Sequence, residues 1–319
     1  MMTMTSTDRR LRRGGLKPSN ASSDSQNRQN ATYSPQAAGS LHEPPFIDAT
    51  MATTLRFKNR DHQDLAFNEP NGPVVAFVAL CGGSGASTLT YLTAAAAARD
   101  SSLPVIAVDG DSNNGGLAYY SGAEGPYSLG DYVSLDVDPD VQHQLQQPLY
   151  DEAAFGARIM ARPPHGALPS LPAAHLRAAD AAQPGGPIHE SVANLLSQCR
   201  ASHGLTVIDC GTLARPEARA ALDCATHIVW LLPATRSGAR RAKLVLDSLT
   251  AFLPGQEIVC ARRDGERKAP TDELRALAGE RLGPLVLMPH IPDLASHPLE
   301  EALERAETAL HALAVTLRR

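Results

Sequence analysis

Eight residues could do chemistry together: Cys81-Gly82-Gly83-Ser84-Gly85-Ala86-Ser87-Thr88, set between the apolar run VVAFVAL (74–80) and an alanine-rich run of helical length. Glycines at such a turn let backbone N–H groups converge on phosphate oxygens at a helix N-terminus. Gly82, Gly83 and Gly85 can supply the turn, because glycine tolerates positive φ. Ser84 lies between them and Ala86 follows them, each with its own N–H group. Ser87 stands where a hydroxyl could ligate Mg²⁺, with Thr88 beside it. The usual phosphate loop is G-x-x-x-x-G-K-[ST]. Here the first glycine position is Leu80 and the lysine position is Ala86.

Three carboxylates accompany the loop. Asp109 and Asp111 flank Gly110 in VDGDSNNGGL, and Asp209 ends VIDCG. Each follows an apolar run that reads as a strand. In an open α/β sheet, carboxylates at neighbouring strand ends face the ligand crevice. Alone, each aspartate reads as a polar strand terminus or a helix cap. In order with the loop, they fit a site for a nucleotide and Mg²⁺. The chain has four lysines (Lys17, Lys58, Lys243, Lys268), none near the loop in sequence. Arg236, just past the run HIVWLL (227–232), is the best-placed substitute cation, with Arg240 behind it. The plainer reading, favoured here, is that both decorate a helix start.

These residues need a scaffold, and the texture of the chain from Val74 onward describes one. Short apolar runs at 74–80, 104–109, 205–210, 227–232, 257–261 and 284–288 alternate with segments of helical period at 87–99, 190–202, 216–224, 237–252, 271–281 and 298–317. That alternation predicts an α/β fold, a mostly parallel sheet with helices on both faces. The last helix places Leu299, Leu303, Ala306, Leu310, Leu313 and Leu317 on one stripe. Its polar face carries Glu300, Glu301, Glu304 and Glu307, which anionic lipid would repel, so the stripe is expected to cover its own sheet. Residues 121–189 are polar and proline-rich; they read as an irregular insertion with one short strand within GARIMA (156–161).

Residues 1–72 read as a disordered tail, rich in Ser, Asn and Gln, ahead of a domain spanning 73–319. The tail carries Arg9, Arg10, Arg12, Arg13 and Lys17, an arm that could touch DNA or an anionic membrane, although a merely solvated tail is the plainer reading. Met51 is an alternative start to Met1. The net charge of −5 argues against a protein that coats nucleic acid generally. Five cysteines without a C-x-x-C pair speak against a disulfide framework or a zinc site, and make a reducing cytoplasm the simplest setting. No apolar run reaches the ~18 residues that suggest a membrane span, and no secretory leader is expected.

With these motifs in hand, the chain resembles the MinD/ParA family of deviant Walker ATPases, including its CpaE-like members, over roughly 74–317. The family's loop reads K-G-G-x-G-K-[ST]-T against C-G-G-S-G-A-S-T here. Its V-D-x-D switch matches Val108 to Asp111, and the polar stretch after it runs to Gly116. Its I-D strand end matches Ile208 and Asp209. Its late V-x-N-R strand end, which contacts adenine, is echoed only loosely by VCARR (259–263), and its I-P-x-D element resembles MPHIPD (288–293). The resemblance implies that Gly82, Gly83, Gly85, Ser87 and Thr88 hold phosphates and Mg²⁺. It implies that Asp111 orients the attacking water, and that Asp109 and Asp209 support the metal shell. The family's signature lysine, which reaches across a nucleotide-sandwiched dimer, is Cys81 here, and the loop lysine is Ala86.

Phosphoryl transfer relies on such cations in its transition state, so weak hydrolysis or none is expected. ATP and Mg²⁺ are the implied cofactors, and a homodimer or a partner ATPase the implied company. The expected role is positioning or partitioning DNA, a septum, or a secretion or pilus machine. The alternatives are a pseudo-ATPase scaffold that binds no nucleotide and, less favoured, a metabolic P-loop kinase. Cys81, near a helix N-terminus, raises a redox role, but an incidental small residue is the preferred reading.

Overall fold

The strands form where apolar side chains run almost without interruption, as expected of a sheet buried on both faces. The computed structural model describes residues 46–48, 67–111, 116–125, 127–134, 150–162, 186–249, 252, 255–265, 268–291, 293–294 and 296–318. All lie in one unit spanning Glu43–Arg319.

In chain order the elements are β1 (Phe46–Asp48), β2 (Val74–Ala79), α1 (Ala86–Asp100), β3 (Val105–Asp109), α2 (Gly116–Ser121), α3 (Leu129–Ser134), β4 (Asp151–Glu152), β5 (Arg158–Met160), α4 (Pro187–Ser202), β6 (Leu205–Asp209), α5 (Pro216–Cys224), β7 (His227–Pro233), α6 (Arg236–Asp247), β8 (Glu257–Arg262), α7 (Thr271–Glu280), β9 (Leu285–Met288) and α8 (Leu299–Leu317). Among the described residues, nine strands join in the order β1-β9-β8-β7-β2-β6-β3-β5-β4. Every pairing is parallel except β4 with β5.

Side chains alternate across this sheet, and each parity has its own core. Val75, Phe77 and Ala79 of β2 join Leu89 and Leu92 of α1 and Leu310 of α8. Val74, Ala76 and Val78 join helices of the opposite face through Leu195, Ala221 and Leu274. The sheet is thus covered on both faces, as the sequence predicts. Small residues decide how close α1 comes: Ala94, Ala95, Ala96 and Ala97 are all buried. Within the last helix Leu303, Ala306, Leu310, Leu313 and Leu317 lie in the core, so the stripe covers its own domain.

Two details differ from the sequence expectation. Within 1–72, Phe46–Asp48 adds an edge strand to β9, and Phe67 is buried in the α1/α8 core. Three residues of extended chain carry too little pattern to be read as a strand. Residues 1–45 and 49–66, including the basic arm and both candidate starts, lie outside the described residues. Within 121–189 the strand expected in GARIMA is present as β5, Arg158–Met160 beside β3, and what differs is that the chain also forms α3 and β4. Residues 135–149 and 163–185 lie outside the described residues.

Candidate functional site

Strand β2 is central, with β6 on one side and β7 on the other. The chain leaves β2 through α1 to β3 on the β6 side, and later fills the β7 side. The loop after β2 therefore sits at a topological switch point, where open α/β sheets take ligands. Its entry is pinned on both flanks. Ala79 N–H donates to Gly211 O at 2.7 Å, and Leu80 N–H to Leu231 O at 2.8 Å. Ser84 closes the turn: its buried hydroxyl donates to Cys81 O at 2.6 Å, and its N–H reaches the same oxygen at 3.3 Å. The Cys81 Sγ lies 3.4 Å from Ser84 Oγ.

Gly85 is the N-cap of α1 with φ 89°, a conformation that disfavours any residue with a Cβ. The first helical bond runs from Leu89 N–H to Gly85 O, and no side chain caps the helix. The N–H groups of Ala86, Ser87 and Thr88 thus have no acceptor within the helix. Gly82 and Gly83 form the outer turn, where an added Cβ would meet nothing within 4 Å. Ala86, at the lysine position, is buried.

The carboxylates arrive by strand register. Asp109 ends β3 and Asp209 ends β6, directly paired across the two strands. Their parity follows Val105, Ala107, Leu205 and Val207 toward the α1 face, so both aim at the loop side. Each is 1% exposed. Asp109 Oδ1 accepts from Asp111 N–H at 2.9 Å, and Asp209 Oδ1 from Gly211 N–H at 3.0 Å. Ser87 hydrogen-bonds Asp209, which ties the loop to β6. Asp109 Oδ2 is buried with no partner. Asp111, half-buried, lies over Gly211, where a Cβ would overlap its carboxylate.

The electrostatics follow from burial. Desolvation first, then the neighbouring Asp209 carboxylate, push Asp109 well above the usual carboxylate range. Desolvation also raises Asp209, against the opposing hydrogen bonds from Ser87 and Gly211. Asp131 and Glu217, which the sequence reading did not single out, add negative charge nearby; Glu217 is itself raised, chiefly by burial.

Such a pair is costly to ionise without a cation. Among the described residues no group of three His, Cys, Asp or Glu forms a self-sufficient metal cage. The donors present are two carboxylates and a hydroxyl, one carboxylate oxygen being unclaimed. That set fits Mg²⁺, which is usually held by one or two carboxylates together with phosphates and water.

The structure thus brings together Gly85, Ser87, Asp109, Asp111 and Asp209. Arg236 takes a different direction: its Nε pairs with Glu273 of α7 at 3.2 Å, and the side chain is 79% exposed. A cation the sequence reading did not nominate does reach the loop. Arg262, the last residue of β8, lays its side chain on Gly85; a Cβ there would stand 3.2 Å from Cδ and 3.4 Å from Nη1. The available signal was strand parity within the VCARR run.

No family model and no curated protein matches the chain in sequence. Solved structures do match in fold. A putative plasmid partition protein from Borrelia burgdorferi B31, bound to AMPPNP, superposes with TM-score 0.54 at 14% identity, over 76% of this chain and 98% of that one. A ParA family ATPase from Chlorobium tepidum TLS gives 0.52 at 16%, over 77% and 98%. The septum site-determining protein MinD from Pyrococcus horikoshii OT3, complexed with Mg-ADP, gives 0.51 at 16%, over 76% and 94%. This chain has the fold of the ParA and MinD P-loop ATPases, carried by a sequence whose glycine-rich loop after β2 has no lysine.

Proposed function

We propose that this protein is a ParA/MinD-like nucleotide-binding protein of the cytoplasm with weak or lost ATPase activity. Its role is to position or partition DNA, a septum, or a secretion or pilus machine. One observation carries the reading: an uncapped helix N-terminus behind a glycine turn faces two buried, paired carboxylates at the switch point of the sheet. The partition and MinD structures that share the fold hold AMPPNP or Mg-ADP, which supports ATP and Mg²⁺ as the ligands here. Among the described residues no helix is long and apolar enough to cross a membrane. Partners are a second copy of the chain, a partner ATPase, or DNA through the basic arm.

In this reading the N–H groups of Gly85, Ala86, Ser87 and Thr88 hold phosphate oxygens. Ser87, Asp109 and Asp209 hold Mg²⁺, which when bound offsets phosphate charge. Asp111 orients water at the terminal phosphate. A second reading, a scaffold that binds no nucleotide, is favoured by Cys81 and Ala86 standing where both lysines would be.

Thermal unfolding with and without Mg-ATP separates the two. A ligand at 100 times its Kd adds about 2.7 kcal/mol of stability, which for a domain of this size raises Tm by about 5–10 °C. Phosphate release in the same samples is expected at or near background. No shift at millimolar Mg-ATP overturns the nucleotide reading in favour of the scaffold.

A further inference from the structure

We propose that Arg262 supplies the positive charge that the phosphate loop's missing lysine would bring, and that it contacts the phosphates of the bound nucleotide. The proposal rests on the nucleotide-binding reading above. Arg262 comes from β8, two strands away from β2 in the sheet. Its parity continues Ile258 and Cys260, which face α1. The end of β8 therefore sends its side chain toward the same face as Asp109 and Asp209 do from β3 and β6.

The surroundings of Arg262 are incomplete in a way that a phosphate would complete. Its Nε is buried and has no hydrogen-bond partner, and among the described residues no carboxylate pairs with the guanidinium. It lies against Gly85, the N-cap of α1. A helix N-terminus already carries partial positive charge, and a cation there is unfavourable. The first turn of α1 contains no acidic residue to offset it, and no side chain caps it. Two positive features thus converge, and among the described residues no ion pair joins an acidic side chain to Arg262. On the other flank, the buried Asp109 Oδ2 also lacks a partner. An orphaned cation beside the loop and an orphaned carboxylate oxygen beyond Ser87 are what a phosphate with its divalent cation would satisfy together.

Position also separates Arg262 from the other candidates. Arg236 is spent on Glu273 at the surface, and Lys243 is paired with Glu280 and Asp247. A guanidinium on Gly85 suits a phosphate oxygen, because its planar fork matches phosphate geometry and its charge is permanent.

The test uses the full chain, titrated calorimetrically with Mg-ATP and, separately, with metal-free tripolyphosphate. Arg262→Met keeps the aliphatic stem over Gly85 and removes the charge, and Arg262→Lys restores a charge. Circular dichroism and Tm without ligand verify that each variant folds. Arg262→Met is expected to weaken both ligands about 10- to 100-fold, and Arg262→Lys to recover part of the loss. Wild-type affinity for both ligands in a folded Arg262→Met overturns the role of Arg262 and leaves the nucleotide reading standing. Arg262-dependent binding of tripolyphosphate without binding of Mg-ATP sustains the role of Arg262 and overturns the nucleotide reading. Binding of neither ligand by the wild type overturns both.

Discussion

Asp109, which the proposed function assigns to the metal, departs from what stability alone would choose. Its Oδ1 closes a local turn by accepting from Asp111 N–H, which any small acceptor would do. Its Oδ2 is buried, unpartnered and beside Asp209. A structure selected only for folding would not keep a second buried carboxylate there, because an unsatisfied buried polar group costs roughly 1–3 kcal/mol. Asp109→Asn keeps the acceptor for Asp111 and removes the charge. It is expected to stabilise the protein in the absence of divalent cations by about 1 kcal/mol, a rise in Tm of about 2–4 °C. The same variant should gain less stability from Mg-ATP than the wild type does. Calorimetric scans with EDTA and with Mg-ATP measure both; a Tm that falls in EDTA would mean that Asp109 is structural.

At the scale of elements, the junction of α4 with β5 and β6 is built around a neutral histidine. His203 is 5% exposed. Its Nδ1 lies 2.9 Å from Cys199 O, an acceptor only, so that nitrogen carries the proton. Its Nε2 lies 3.1 Å from Arg158 Nη1, a donor only, so it accepts. Burial first, and then the Arg158 charge, lower the pKa of His203 from its ordinary value. Between the lowered folded value and about 6.5, the unfolded chain binds more protons than the folded one, so stability rises with pH there. The contribution is complete above about 6.5 and is lost as pH falls through the folded value. His203→Gln is expected to flatten the slope of stability below pH 6.5 without abolishing it, because His227 is lowered by burial in the same direction. Urea titrations between pH 5 and pH 7.5 check this, and an unchanged slope would remove His203 from the account.

The whole molecule raises the question of assembly. The lysine that would cross a nucleotide-sandwiched dimer is Cys81, half-buried at the turn and set against Ser84. Under the proposed function, a nucleotide-sandwiched dimer of this chain would lack one trans contact to phosphate. With Mg-ATP the wild type is expected to dimerise only weakly by light scattering, and Cys81→Lys to dimerise at a lower protein concentration. Should Cys81→Lys bind Mg-ATP and remain as monomeric as the wild type, a nucleotide-sandwiched dimer is not the assembly this surface makes.

Much of this was legible in the chain. The strands at 74–79, 105–109, 205–209, 227–233 and 257–262 fall within one or two residues of the apolar runs, because burial on both faces needs local hydrophobicity and little else. The glycine turn was legible because positive φ is a property of single residues. The order of the three aspartates was legible because strand ends are marked by the polar residue that follows them. Tertiary structure decided the rest. That Asp109 and Asp209 are partners depends on β6 lying between β2 and β3, which no local pattern states. The edge strand Phe46–Asp48 exists only because β9 offers it a partner. Arg236 and Arg262 both follow apolar runs and look alike in sequence. Sheet order and side-chain parity turn one outward to Glu273 and lay the other on Gly85. A loop without lysine was written in the sequence; the arginine that stands beside it was assigned by the fold.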